Sequence, residues 1–292
     1  VEPICTVYRG YTVWQIPPNT QGITALMALN ILEQFDLDAL PHRSAAAIHL
    51  TVEALKLAFA DSRRYVADPL QTSVPIAELL DKDRAKHRAR EIRQKNANNQ
   101  PVPGIISEGD TVYLCTADKE GRMVSFIQSN FTGFGSGVVV PGTGISLQNR
   151  GIGFTLEHGH PNQVAPGKRP YHTIIPGFMT REGEPIAAFG VMGGDMQPQG
   201  HVQVVSNMID YGLNPQAALD APRFRVYEGP RLSVESDIKV DSIRQLSEWG
   251  HDVFIDTKVS GFGGGQIIWR DSENGVFVVG TEPRNDGVAL GW

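Results

Sequence analysis

Residues 108–118 read Glu-Gly-Asp-Thr-Val-Tyr-Leu-Cys-Thr-Ala-Asp, and the reading of this stretch decides the fold. A Gly-Asp turn runs straight into a strand whose first residue is Thr111. β-Branched residues suit strands, so Thr111 alone needs no further account. A hydroxyl nevertheless becomes a usable nucleophile when a base stands beside it, and an N-terminal amine is such a base. If the Asp110–Thr111 bond were cut, Thr111 would own an α-amine with a pKa of about 8, able to take the Oγ1 proton. The position permits this. Residues 96–110 (Asn-Ala-Asn-Asn-Gln-Pro-Val-Pro-Gly-Ile-Ile-Ser-Glu-Gly-Asp) are rich in turn formers and poor in apolar residues, the composition of a linker.

On either side of the linker the texture differs. Before it, residues 7–17 read as a hairpin with an Arg-Gly turn. Asn19-Thr-Gln-Gly22 opens an amphipathic helix to about Phe35, a second helix spans 44–65, and 82–99 is a charged helical run with a solvated face. After it, strands are expected near 111–117, 122–129, 137–140, 144–147, 173–180, 186–192, 224–227, 231–235, 252–256, 265–270 and 276–281. Helices are expected over 199–211, 215–220 and 239–249. Strands framed by helices indicate a layered α/β domain.

Three further stretches could carry chemistry. Ser129-Asn-Phe-Thr-Gly-Phe-Gly-Ser-Gly137 ends the second strand after the linker. If that strand pairs with the first as a hairpin, Ser129 returns beside Thr111. The stretch lacks the spacing and lysine of a phosphate loop. Gly193-Gly194-Asp195 ends another strand, and paired glycines can aim two N–H groups at one point, as an oxyanion hole requires. Lys168-Arg-Pro-Tyr-His-Thr-Ile-Ile-Pro176 offers His172 and Thr173 to a pocket. His158-Gly-His160 has metal-like spacing without a third ligand nearby, so no metal is expected.

The 292 residues carry a net charge of −6, which argues against nucleic acid or an anionic membrane as partner. Two cysteines, Cys5 and Cys115, could form at most one bridge. No apolar run reaches the length of a membrane span. The start at Val1 reads as processed or truncated, leaving cytoplasmic and periplasmic or secreted locations open.

Taken together and in order, these pieces resemble the γ-glutamyltranspeptidase family of N-terminal-nucleophile hydrolases. Residues 1–110, with Tyr8-Arg-Gly-Tyr and Pro17-Pro-Asn-Thr-Gln-Gly, look like the end of that family's large subunit. Residues 111–292, ending in Glu282-Pro-Arg-Asn-Asp-Gly287, look like its whole small subunit. The first, larger part of the large subunit is absent. The resemblance implies an α/β (α+β) four-layer αββα sandwich formed by both parts together, incomplete on its N-terminal side. It implies self-cleavage between Asp110 and Thr111, an acyl-enzyme on Thr111, an assisting hydroxyl at Ser129 and an oxyanion hole at Gly193 and Gly194. It also implies a heterodimer of the two cleaved chains, no cofactor, and release of the acyl group to water or an amine. Substrate contacts are expected from Asn130, Arg150, His172, Thr173 and Asp195.

The sequence departs from the family where a γ-glutamyl donor's amino and carboxylate groups are held. An Asn, a Gln and an Asp there become Phe131, Arg150 and Gly153, and a serine pair becomes His172-Thr173. The loss of the Asp removes an ammonium partner, while Arg150 adds a carboxylate partner. The segment between Phe154 and Lys168 is short, so the usual lid is expected to be absent. The pattern looks closer to the cephalosporin-acylase-like branch, which includes amidohydrolases of small acidic amides such as oxamate; the resemblance implies as substrate a small-molecule amide carrying a γ-glutamyl or another small acidic acyl group. The readings are therefore an autoprocessing amidohydrolase or acyltransferase, an unprocessed and inactive member that only binds, and a generic α/β binding domain.

Overall fold

The computed structural model describes residues 1–99 and 111–292. Strands β1 (Ile4–Tyr8) and β2 (Tyr11–Gln15) form a hairpin about Arg9-Gly10. Helix α1 (Gly22–Leu32) follows, and then α2 (Ala45–Tyr65), whose first turn is capped by Ser44 Oγ accepting from Ala47 N–H at 3.3 Å. A single turn, α3 (Ile76–Leu79), precedes α4 (Lys82–Glu91). Beyond the linker come β3 (Thr111–Ala117), β4 (Met123–Ser129), β5 (Gly177–Arg181) and β6 (Glu184–Met192). Helices α5 (Met196–Ile209) and α6 (Pro215–Asp220) lead to β7 (Phe224–Val226), β8 (Arg231–Val234), α7 (Val240–Glu248), β9 (Asp252–Ile255), β10 (Gly264–Arg270) and β11 (Phe277–Thr281).

A six-stranded sheet, ordered β1-β2-β5-β6-β10-β11, is the centre. Strands from both sides of the linker share it. Its two faces can be told apart on β6, where successive residues point to opposite sides. A Cβ on Gly190 would lie 2.5 Å from the ring of Tyr113 on β3, whereas Val191 touches the side occupied by Gly200 of α5. The hairpin β3–β4 therefore covers one face, and α1, α5 and α6 cover the other, with α2 packed outside α1. Gly190 has to be glycine because the Tyr113 ring occupies the place of its side chain. The Tyr113 hydroxyl bonds Ser125 Oγ at 2.7 Å, and Ser125 Oγ donates to the Phe189 carbonyl. Of the four expected layers, the described residues supply helices, sheet and hairpin. The outward face of the hairpin, Val112, Leu114, Val124 and Phe126, stays 42–57% exposed.

Two packing features differ from the sequence expectation. All eleven residues of α1 are buried, Thr24 and Asn30 included, because sheet strands and the helices α2, α4 and α5 surround it. It is a core helix, and its expected amphipathic pattern has no solvent side to serve. On α5, Gln199 and Gln203 are buried and act as surrogate strand edges. Gln199 bonds both the N–H and the carbonyl of Val226, and Gln203 does the same for Phe224. These amides satisfy the backbone of β7 on the side away from β8.

Several boundaries are corrected. No strands form at 137–140 and 144–147; a single bridge, Val139 to Ser146, closes a turn there, because left-handed glycines 142 and 144 interrupt extension. The strand expected from 173 begins at Gly177, the preceding residues being held by side-chain bonds instead. The charged helix stops at Glu91 rather than 99, and α5 starts three residues earlier than expected. Cys5 and Cys115 are both free thiols. No helix among the described residues is long and apolar enough to cross a membrane.

Candidate active site

Thr111 and Ser129 are the outermost pair of the β3–β4 ladder, each the other's register partner. The alternation of both strands fixes this register, since a slip by one residue would turn Tyr113 outward. Ser129 Oγ accepts from the N–H of Phe131 at 2.7 Å, which holds the serine rotamer at the mouth of the turn. Phe131 takes a left-handed φ of 84° to make this contact. Asp110, the other half of the expected cleavage bond, lies outside the described residues.

From this pair a continuous set of bonds leads to the other expected residues. Arg150 is 5% exposed and stands 5.2 Å over the Phe131 ring. Its Nη2 donates to the Ser129 carbonyl at 3.4 Å, and its Nη1 donates to Thr173 Oγ1 at 2.9 Å. The Thr173 carbonyl accepts from Gln21 Nε2 at 2.8 Å. The same Gln21 nitrogen donates to the Gly194 carbonyl at 2.9 Å. Thr111, Ser129, Arg150, Thr173 and Gly194 thus belong to one connected structure.

Gly193 and Gly194 adopt φ values of 125° and 59°, conformations that glycine alone reaches without strain. The Gly193 carbonyl accepts from Met196 N–H at 3.0 Å and the Gly194 carbonyl from Gln197 N–H at 3.2 Å. Because carbonyl and following N–H are antiparallel in a trans peptide, the Gly194 N–H points away from the start of α5. A donor so directed, beside a helix N-terminus, suits a developing negative charge.

A narrow cleft is lined by Phe131, Arg150, Gly153, Tyr171, Thr173 and Asp195. Burial pushes the Arg150 guanidinium down to about 10, with no charged partner contributing. It remains a cation at neutral pH, in a place where a substrate carboxylate could complete it. Asp195, also in the cleft, forms an ion pair with Arg63 at 3.2 Å. Tyr171 bonds Ser62 through its hydroxyl at 3.1 Å.

Not every expected contact faces the cleft. His172 turns its Nδ1 to the N–H of Ile174 at 3.2 Å, and burial with the nearby Arg150 charge pushes it down to about 4. It is a neutral imidazole at neutral pH. Asn130 braces the loop through its carbonyl, which accepts from Asn149 N–H at 3.2 Å, and it does not line the cleft. His160 Nδ1 accepts from Asn162 N–H, so the His158–His160 pair forms no convergent site. Sequence reasoning missed Gln21 and Arg63. Gln21 was visible as part of a helix entrance and of the Pro17–Gly22 stretch, with no contact assigned to it, and Arg63 only as a basic residue in the last turn of α2.

One group among the described residues, His49, Glu53 and His251, brings three metal-type donors within 4.8 Å. Its atoms already bond one another or their neighbours. His49 Nε2 donates to the Arg93 carbonyl at 2.7 Å, so Nδ1 accepts from His251 Nε2 at 2.8 Å. Glu53 accepts from Lys56 Nζ at 2.8 Å and from Asn98 N–H at 3.0 Å. Lys56 is the cation of this network, which anchors residues 93–98.

The family model described as gamma-glutamyltranspeptidase matches residues 1–292. A glutathione hydrolase-like YwrD proenzyme of Bacillus subtilis is 39% identical over 99% of this chain and 55% of its own length. An oxamate amidohydrolase proenzyme of Klebsiella pneumoniae is 34% identical over 99% of this chain and 55% of its own. The crystal structure of a cephalosporin acylase from Bacillus halodurans superposes with a TM-score of 0.93 at 52% identity, covering all of this chain and 53% of that one. The chain spans about half the length of the curated relatives it matches.

Proposed function

The chain belongs to the γ-glutamyltranspeptidase family and carries the N-terminal-nucleophile hydrolase fold, and on that premise we propose that it is the catalytic part of a self-cleaving threonine amidohydrolase. In this reading the Asp110–Thr111 bond is cut and Thr111 becomes N-terminal. Its amine takes the Oγ1 proton as Oγ1 attacks the amide carbonyl of the donor. The new C–O bond pushes negative charge onto the carbonyl oxygen, which the N–H groups of Gly193 and Gly194 receive. Collapse breaks the C–N bond, and the Thr111 ammonium returns its proton to the leaving amine. Water or an acceptor amine then attacks the ester on Oγ1, restoring Thr111 and releasing the acid or a new amide. Ser129 polarises the nucleophile from across the ladder.

The observation that carries the reading is the Thr111–Ser129 register pair tied through Arg150 to the cleft. The cleft also favours a substrate class. Its one lining carboxylate, Asp195, is already paired with Arg63, so it offers little to a substrate ammonium. Arg150 has no carboxylate partner among the described residues and would bind one. Small acyl groups ending in a carboxylate, without an α-amine, therefore fit better than γ-glutamyl donors. The oxamate amidohydrolase and cephalosporin acylase among its relatives support this choice, and the cleaved chains would remain together as a heterodimer. The test is hydrolysis of a glutaryl anilide against a γ-glutamyl anilide by the intact, cleaved protein. Preference for the glutaryl donor is expected; preference for the γ-glutamyl donor overturns the assignment.

A further inference from the structure

We infer that Gln21 is a positioning residue that sets the distance between the end of the cleft that binds the acyl group and the end that reacts. The inference rests on the acyl-transfer reading above and adds a determinant of acyl length.

Gln21 precedes α1 and is fully buried. Residues at this place commonly turn a side chain back to cap the helix, yet Gln21 makes no such bond. Its side chain instead crosses to the other part of the chain. A primary amide has two N–H bonds, and both are used: one on the Thr173 carbonyl at 2.8 Å, the other on the Gly194 carbonyl at 2.9 Å. The backbone N–H of Gln21 donates to the His172 carbonyl at 2.9 Å, and the Asn19 carbonyl accepts from His172 N–H at 3.0 Å. The backbone around Gln21 is therefore zipped to the segment that carries Thr173, and its side chain cannot drift.

The two carbonyls that Gln21 joins belong to different functional ends. Thr173 receives Arg150 on its hydroxyl, the cation offered to a substrate carboxylate. Gly194 completes the glycine pair offered to the oxyanion. One rigid amide spans them, so the separation of carboxylate site and oxyanion site is fixed by a single side chain in a dry environment. Removing it leaves two buried carbonyls short of a donor. The glycine pair, held at left-handed φ with no side chains of its own to pack, is then free to relax. Binding through Arg150 survives; alignment at the reacting carbon does not.

The test uses the whole protein and a series of anilides whose acyl groups end in a carboxylate and run from about two to about five carbons. Gln21→Leu removes both donors, and Gln21→Asn keeps the amide on a shorter arm, providing a milder change should the leucine variant fold poorly. For the best donor, kcat is expected to fall by about 10- to 100-fold in Gln21→Leu, with KM within about threefold of wild type. Discrimination between neighbouring chain lengths should flatten, and Gln21→Asn should fall between. A general loss of packing would lower activity in proportion for every donor and leave the profile unchanged. A folded, cleaved variant with wild-type kcat and an unaltered chain-length profile overturns the inference. Absence of amidase activity in wild type on every donor would instead remove the acyl-transfer reading, a result the Gln21 variants cannot produce.

Discussion

Thr111 and Ser129 face each other as the terminal register pair of the β3–β4 ladder, with residues 112–128 between them along the chain. Replacing Thr111 with alanine is expected to abolish both cleavage and amide hydrolysis. Ser129→Ala should lower kcat by about 10- to 100-fold while the protein stays folded. Steady-state kinetics with circular dichroism check both. Wild-type turnover in Thr111→Ala removes it as the nucleophile, and an unfolded Ser129→Ala assigns the serine to structure.

Arg150 carries the specificity argument. Arg150→Ala should raise KM for carboxylate-ended donors by about tenfold or more, with a smaller effect on neutral acyl groups. Arg150→Lys should recover part of the loss, since it restores charge without the planar fork. Equal KM values in wild type and Arg150→Ala would take the guanidinium out of substrate binding.

Stability should depend on pH through buried histidines. Burial pushes His201 and His251 down to about 3, against an ordinary value near 6.5. Between those values the unfolded chain binds more protons than the folded one, so stability rises with pH across the window. Each group contributes a slope of about 1.4 kcal/mol per pH unit, lost as pH falls from about 6.5. The Asp68 carboxylate is held down to about 2, chiefly by its hydrogen bonds from Arg169, from an ordinary 3.8, so its contribution is present above that value and is lost as pH falls from there through about 2. Urea titrations at about pH 7 and about pH 5 read this directly; equal midpoints contradict it.

Glu282 was legible as part of a terminal motif, and its neighbourhood gives that motif a structural role. It is 1% exposed and accepts from Arg223 at 2.7 Å, from Gly265 N–H at 2.7 Å and from Arg284 at 2.6 Å. Glu282→Ala leaves the fully buried Arg223 guanidinium without its closest carboxylate and should cost about 3–5 kcal/mol. Chemical denaturation measures the loss, and a change below about 1 kcal/mol would show that Glu235 and the carbonyls suffice.

What could be read in the sequence follows the range of the forces involved. The hairpin and its Thr111–Ser129 pairing were legible because alternation and the turn are local. The glycine pair was legible because its conformation excludes other residues. Gln21 was not, since its role depends on carbonyls more than 150 residues away, to which periodicity is blind. Arg63 escaped for the same reason, appearing as a helix-end cation until Asp195 was placed beside it. His172 is fixed locally, its Nδ1 accepting from the Ile174 N–H two residues on, a contact that side-chain type alone does not announce. The failed strands at 137–147 show glycine conformation overriding the β propensity of Val138, Val139 and Val140.

The most direct measurement is intact mass spectrometry of the purified protein with N-terminal sequencing of each species. The account predicts two chains, one beginning Thr-Val-Tyr-Leu at Thr111, and loss of that cleavage in Thr111→Ala. A single uncut chain, or a cut at any other bond accompanied by full amidase activity, would contradict it.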